Sequence, residues 1–165
     1  MDKKELEFHC IILAAGYGKR IESIARGLPK SLLKISEVTL LESHLDNLLK
    51  HPIKHISIIV GYKNYKIRNL IGNEYGGIPI EYIESKDYMN TNHSWSIYLS
   101  KNFVSKKRLP LIFLHADTFY DPSLLSKVIY SKFENTILAD PSFKINTRDE
   151  LIVTGENNVV NNLHY

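Results

Sequence analysis

Two glycines and two cations crowd the end of one apolar run, Ile11 to Arg20, which reads IILAAGYGKR. A chain that leaves a buried strand through Gly16 and Gly18 can turn several backbone N–H groups toward one anion, because neither residue has a Cβ to block the approach. Lys19 and Arg20 add full positive charges beside those dipoles, and Lys30 follows in GLPKSLLKI. Such an arrangement suits a polyanion. Two well-known phosphate loops do not fit it. A dinucleotide-binding loop would place a third glycine where Ile21 stands and an acidic residue about twenty positions on for a ribose, and Glu42 has a helix-capping task instead. A Walker-type loop needs four residues between its glycines and then Lys with Ser or Thr, which this stretch lacks.

The elements that must position these residues follow from the apolar pattern. Short apolar runs at Phe8–Ala14, Ile56–Val60, Ile78–Ile83 and Leu109–Leu114 predict strands, with helical spacing between most of them. Thr39 and Glu42 form a capping box ahead of Leu41, Leu45, Leu48 and Leu49, and Asp121 with Pro122 opens a helix bearing Leu124, Leu125, Val128 and Ile129. A third helix starts near Ser94 and sets Trp95, Tyr98, Leu99 and Phe103 in line, which puts Trp95 in the core. After Asn135 the segments TILAD, ELIVTG and NNVVNNLHY read as short strands. Alternating helices and continuous apolar strands predict an α/β fold with a mostly parallel sheet covered on both faces, and such sheets bind ligands at the carboxyl ends of their strands. No repeat or linker divides residues 1–165, so one domain is expected.

Composition narrows the classes of function. Hydrophobic residues at 44% and charged residues at 24% are ordinary globular usage, and a net charge of +3 spread along the chain gives no concentrated face for nucleic acid. Cys10 is the single cysteine, which excludes a disulfide framework and fits a reducing cytoplasm. No apolar run approaches the roughly 20 residues of a membrane span.

The motif LAAGYGKR followed by GLPKSLLKI resembles the L-A-A-G-x-G-x-R … P-K signature of the nucleotidyltransferases that make sugar-nucleotides and CDP-alcohols. Leu13, Ala14, Ala15, Gly16, Gly18, Arg20, Pro29 and Lys30 stand at the matching positions. IIVGY (Ile58–Tyr62) is similar to the family's second strand, which ends in V-G-Y before a helix, and LIFLHADTFYD to the later strand that delivers an aspartate to the metal, here Asp117. YMNTNHSWSIYLS resembles the T-N-x-x-x-S-L segment of the branch containing phosphocholine and 2-aminoethylphosphonate cytidylyltransferases, through Thr91, Asn92 and Ser96, with Ile97 in place of Leu.

The resemblance implies a three-layer Rossmann-like (GT-A-like) nucleotidyltransferase fold and transfer of CMP from CTP to a small phosphate or phosphonate acceptor, with Mg²⁺ as cofactor. Arg20, Lys30 and Asp117 would be catalytic, Asp117 also holding the metal. Leu13, Ala14, Ala15, Gly16, Gly18, Lys19, Thr91, Asn92 and Ser96 would bind the nucleotide.

Plainer roles compete for several of these residues. Lys19 suits a solvated loop charge, Asp117 a turn cap, and Asn92 or Ser94 a helix cap. His115 beside Asp117 is expected to be packed or hydrogen-bonded, because an ionised phosphate nucleophile needs no base. His44, His51, His55 and His93 lack zinc spacing on a shared helix face. Tyr62, Tyr88, Trp95 and Tyr98 flank the pocket segments and could cage a choline headgroup, although the core accounts for Trp95. The family continues beyond the length of this chain with a second metal carboxylate and much of the acceptor pocket. Asp140 could substitute for that carboxylate, yet it suits an Asp-Pro turn better. Other readings are a non-catalytic nucleotide-binding or interaction module and a sugar-1-phosphate or molybdenum-cofactor type of nucleotidyltransferase. A homodimer through exposed apolar surface is a further expectation.

Overall fold

A strand buried on both faces needs apolar side chains at every position, and FHCIILA satisfies this almost throughout. In the computed structural model, which describes residues 6–139, 152–156 and 159–164, this stretch is β1 (Phe8–Ala14), and all of it is buried. After β1 come a short helix α1 (Glu22–Ala25), a small hairpin of β2 (Lys34–Ile35) and β3 (Val38–Thr39), α2 (Leu40–Leu48), β4 (Ile53–Val60) and α3 (Asn64–Ile71). There follow β5 (Glu74–Tyr75), β6 (Ile78–Glu84), α4 (His93–Lys107), β7 (Leu111–His115) and α5 (Pro122–Ile129), then a separate antiparallel hairpin of β8 (Ile152–Glu156) and β9 (Val159–His164).

The main sheet is five-stranded in the order β5-β6-β4-β1-β7. The pairs β6–β4, β4–β1 and β1–β7 are parallel, and only β5 runs antiparallel. The register sets Leu13 beside Ile59 on one side and His115 on the other, so the carboxyl ends of β4, β1 and β7 finish together. Alternation splits the side chains of β1 between two cores. Cys10, Ile12 and Ala14 join Leu41, Leu45 and Leu48 of α2, Ile67 and Ile71 of α3, and Leu125 and Ile129 of α5. Ile11 and Leu13 join Ile59, Ile83 and, from α4, Leu99, Phe103 and Val104. Helices therefore cover both faces, as the apolar pattern predicts.

The helix starts follow the expected chemistry. The Thr39 hydroxyl accepts from the Glu42 N–H at 3.1 Å while the Glu42 carboxylate accepts from the Thr39 N–H at 2.9 Å, and the Asp121 carboxylate accepts from the Ser123 N–H. Two expectations are corrected. Trp95 is 40% exposed and stacks outward on Tyr98, because α4 turns Ser96 and Ser100 toward the sheet together with Leu99 and Phe103. Small residues let that helix lie close, and the Ser100 hydroxyl donates to the Ile97 carbonyl, so it costs no unpaired group. Residues 136–139 of the expected strand TILAD form no strand, and Ile137 and Leu138 are each 47% exposed. A strand needs a neighbouring ladder, and none of the described strands pairs with them. Asp140 lies outside the described residues.

Candidate active site

The loop that follows β1 is tied to its neighbour strand before it turns away, since the Ala15 carbonyl accepts from the Tyr62 N–H at 3.2 Å. The two glycines of the loop then differ. A Cβ built on Gly16 meets nothing within 4 Å and its φ is not left-handed, so the fold does not need glycine there. Gly18 has a φ of 70° and a ψ of 38°, which glycine adopts without cost, and it starts the single turn Lys19–Ile21. Lys19 and Arg20 are exposed on that turn.

Chain reversal at Arg26 and Gly27, both left-handed, returns the backbone to Pro29, which is buried and precedes a second single turn, Lys30–Leu32. Leu32 anchors this turn in the core. Lys30 is thereby laid against the glycine loop, with a Cβ on Gly18 only 3.5 Å from the Lys30 Cβ. Both halves of the two-part motif meet at this point.

The third contributor arrives on β7. The Ala116 N–H bonds the Leu13 carbonyl at 3.1 Å, and this extends the β1–β7 ladder by one residue before Asp117 emerges. Thr118 closes the turn, because its N–H and its hydroxyl both donate to the His115 carbonyl. The Asp117 carboxylate is left to Lys30, whose Nζ donates to Oδ2 at 2.7 Å. Burial acts to raise the Asp117 carboxyl, but the hydrogen bond and charge of Lys30 outweigh it and hold the group below the usual carboxylate range. It is an ionised, half-exposed carboxylate beside a cation.

At the start of α4 the Asn92 side chain accepts from the Trp95 N–H at 3.3 Å as the helix cap, and the Thr91 hydroxyl donates to the Asp87 carbonyl at 2.8 Å. Ser96 is buried on the sheet-facing side. An open depression lined by Met89, Asn90, Thr91, Asn92 and Trp95 lies here. His93 and His115 meet edge to face with ring centroids 4.5 Å apart while both stay exposed, so His115 has one ring neighbour rather than a packed environment; partial burial and the neighbouring His93 lower its pKa against the pull of Asp117.

Three features escaped the motif reading. Gly61 is needed for close approach, since a Cβ there would lie 2.6 Å from the Ala15 carbonyl oxygen and 2.7 Å from the Tyr88 Cβ. Lys63 reaches across to Gly27, and His93 pairs with His115. The glycine in IIVGY was a signal for the first, and nothing in the local sequence announced the other two.

Among the described residues, no group of three or more His, Cys, Asp or Glu is arranged to hold a metal ion. A single accessible carboxylate such as Asp117 suits a cation that keeps most of its waters and takes the rest of its ligands from phosphate.

A parallel α/β sheet with a glycine-rich, cation-bearing loop and an aspartate at adjacent strand ends defines a nucleotide-handling class of protein. The family follows from comparison: the model of the nucleotidyl transferase family matches residues 9–140, and this chain belongs to that family. It is 30% identical over 138 residues to a CTP:phosphoglutamine cytidylyltransferase of Campylobacter jejuni, covering 82% of this chain and 53% of that protein. It is also 32% identical over 114 residues to a D-glycero-alpha-D-manno-heptose 1-phosphate guanylyltransferase of the same organism, covering 69% of this chain and 49% of that one. Among solved structures, the CTP:phosphocholine cytidylyltransferase of Streptococcus pneumoniae aligns with a TM-score of 0.55 and 28% identity, over 67% of this chain and 45% of that one. The chain thus spans about half the length of these relatives. No helix among the described residues is long and apolar enough to cross a membrane.

Proposed function

We propose that this chain carries the nucleotide half of a nucleotidyltransferase that moves CMP from CTP to a small phosphate or phosphonate acceptor. An acceptor oxygen attacks the α-phosphorus, the bond from that phosphorus to the α–β bridging oxygen breaks, and pyrophosphate leaves with the electron pair. The nucleophile is already ionised near neutral pH, so the protein's work is to hold two anions together and offset charge on the leaving group. The backbone N–H groups around Gly16 and Gly18, with Lys19 and Arg20, would bind the β and γ phosphates. Lys30 would stabilise the α-phosphoryl group as it becomes five-coordinate. Asp117 would hold Mg²⁺, which would supply positive charge to offset the charge of the triphosphate. Leu13 to Ala15, with Thr91, Asn92 and Ser96, would frame base and ribose.

The observation that most supports this reading is the 2.7 Å pair of Lys30 and Asp117, two residues 87 positions apart that meet beside the glycine loop. Gly16 adds to it, being a glycine the fold has no use for. The cytidylyl choice draws on the Campylobacter phosphoglutamine and pneumococcal phosphocholine enzymes, against the heptose guanylyltransferase.

The test is a thermal-shift titration of the 165-residue chain with CTP, UTP, ATP and GTP, with and without Mg²⁺, repeated on Asp117→Ala. Ligand at 100 times its dissociation constant adds about 2.7 kcal/mol to stability, which such a shift resolves. A CTP-selective, Mg²⁺-dependent shift that Asp117→Ala loses is expected. A larger shift with GTP would move the reading to guanylyl transfer, and no shift from folded protein would refute nucleotide transfer by this polypeptide.

A further inference from the structure

Gly61, Tyr62 and Lys63 stand at the end of β4, outside both halves of the phosphate-loop motif, yet each of the three engages that motif. Gly61 makes room for the Ala15 carbonyl. The Tyr62 N–H donates to that carbonyl, and its ring meets Tyr17 of the glycine loop edge to face at 4.6 Å. Lys63 crosses to the second half, where its Nζ donates to the Gly27 carbonyl at 2.9 Å while lying 5.1 Å from the Tyr62 ring centroid.

The site of that contact matters. Arg26 and Gly27 are consecutive left-handed residues with φ of 46° and 74°, so this reversal sets the direction in which the chain runs on to Pro29 and Lys30. A carbonyl at such a reversal has no regular ladder to hold it. Lys63 itself is left-handed, with φ 45° and ψ 44°, a conformation for which glycine would be the ordinary choice. Glycine there would have no side chain to reach Gly27. A Cβ on Gly27 would lie 2.8 Å from the Lys63 Nζ, so the ammonium fills the space that glycine leaves.

We infer that Lys63 is a positioning residue: by clamping the Gly27 carbonyl it sets where Lys30 stands relative to the glycine loop and Asp117. The inference rests on the role proposed for Lys30 and adds a residue that acts through it. An ammonium donates in a fixed place to Gly27 and leans on Tyr62, which leans on Tyr17, so both halves of the motif take their relative position from the β4–α3 turn. Misplacing a catalytic group by about 1 Å costs on the order of 100-fold in rate.

The test uses the full chain with Lys63→Met, which keeps bulk and loses the donor, and Lys63→Arg, which keeps the donor. Two measurements are made. One is hydrogen exchange of the Leu28, Leu32 and Leu33 amides, which bond the Ala25, Pro29 and Lys30 carbonyls. The other is turnover beside nucleotide affinity. Lys63→Met is expected to speed exchange at these amides and to lower kcat about 10- to 100-fold with nucleotide affinity changed by less than about threefold, and Lys63→Arg to restore both. Unchanged exchange in Lys63→Met overturns the clamp, whether or not the chain turns over substrate. A drop in nucleotide affinity that matches the drop in turnover also overturns it, because Lys63 would then contact the nucleotide directly. Wild-type protein that binds no nucleotide would refute the proposed function, while exchange would still decide the clamp.

Discussion

Replacing Gly16 by alanine separates what the fold requires of the glycine loop from what a ligand requires. The new methyl group meets nothing within 4 Å, and the backbone is not left-handed there, so the folded state accepts it without strain. Alanine also narrows the unfolded ensemble, so stability should stay level or rise by about 0.4–1 kcal/mol. For a chain of this size that is a Tm increase of roughly 1–4 °C. Nucleotide binding should move the opposite way, because a Cβ at Gly16 keeps a phosphate from the loop N–H groups. Losing one hydrogen bond to a charged group costs about 1.5–3 kcal/mol, or roughly 10- to 100-fold in dissociation constant. Melting without ligand and CTP titration by calorimetry with Mg²⁺ present would measure the two effects on the same preparation. A Tm several degrees lower would make Gly16 a structural glycine, and unchanged affinity would mean that no anion approaches the loop there. Either result defeats the reasoning.

Gly61→Ala should do the reverse and destabilise by about 1–3 kcal/mol in urea unfolding, since a backbone oxygen at 2.6 Å cannot move aside as a flexible side chain can. Lys30→Ala should lower kcat about 100-fold or more, a larger loss than in nucleotide affinity, because its charge acts mainly on the developing transition state; equal losses would reassign it to ground-state binding. His9 is wholly buried with its Nε2 on the Ser57 hydroxyl at 2.8 Å, and burial, helped by Lys107 and His55, lowers its pKa to about 4. The unfolded chain then binds the extra proton first, so this contribution to stability is complete above pH 6.5 and is lost as pH falls toward 4, about 3 kcal/mol in all. His9→Gln should remove that part of the slope between pH 7 and pH 4 in urea unfolding, and an unchanged slope would show that His9 does not titrate in this window.

Local chemistry made much of the fold legible. Thr39 with Glu42 and Asp121 with Pro122 announce their helices, because capping is settled within four residues of chain. Mostly apolar runs announce β1 and the buried second half of β4, because a strand covered on both faces admits few polar side chains. The glycines and cations of the loop suggest by type alone the anion-binding role proposed for them.

What sequence could not decide were matters of neighbours. The face of α4 that turns inward is chosen by how closely a helix can lie on the sheet, and this sends Trp95 outward and Ser96 inward although Trp95 is the more apolar. TILAD has the composition of a strand but finds no ladder among the described residues, and a ladder is a property of two segments. Lys30 and Asp117 could each be named as charged residues of a motif. Their meeting at 2.7 Å, and the reach of Lys63 to Gly27, depend on where the ends of β1, β4 and β7 come to rest beside one another. Spacing along a chain sets the chemistry that each residue can offer, whereas contacts between distant residues arise only when packing of the whole sheet brings their strand ends together.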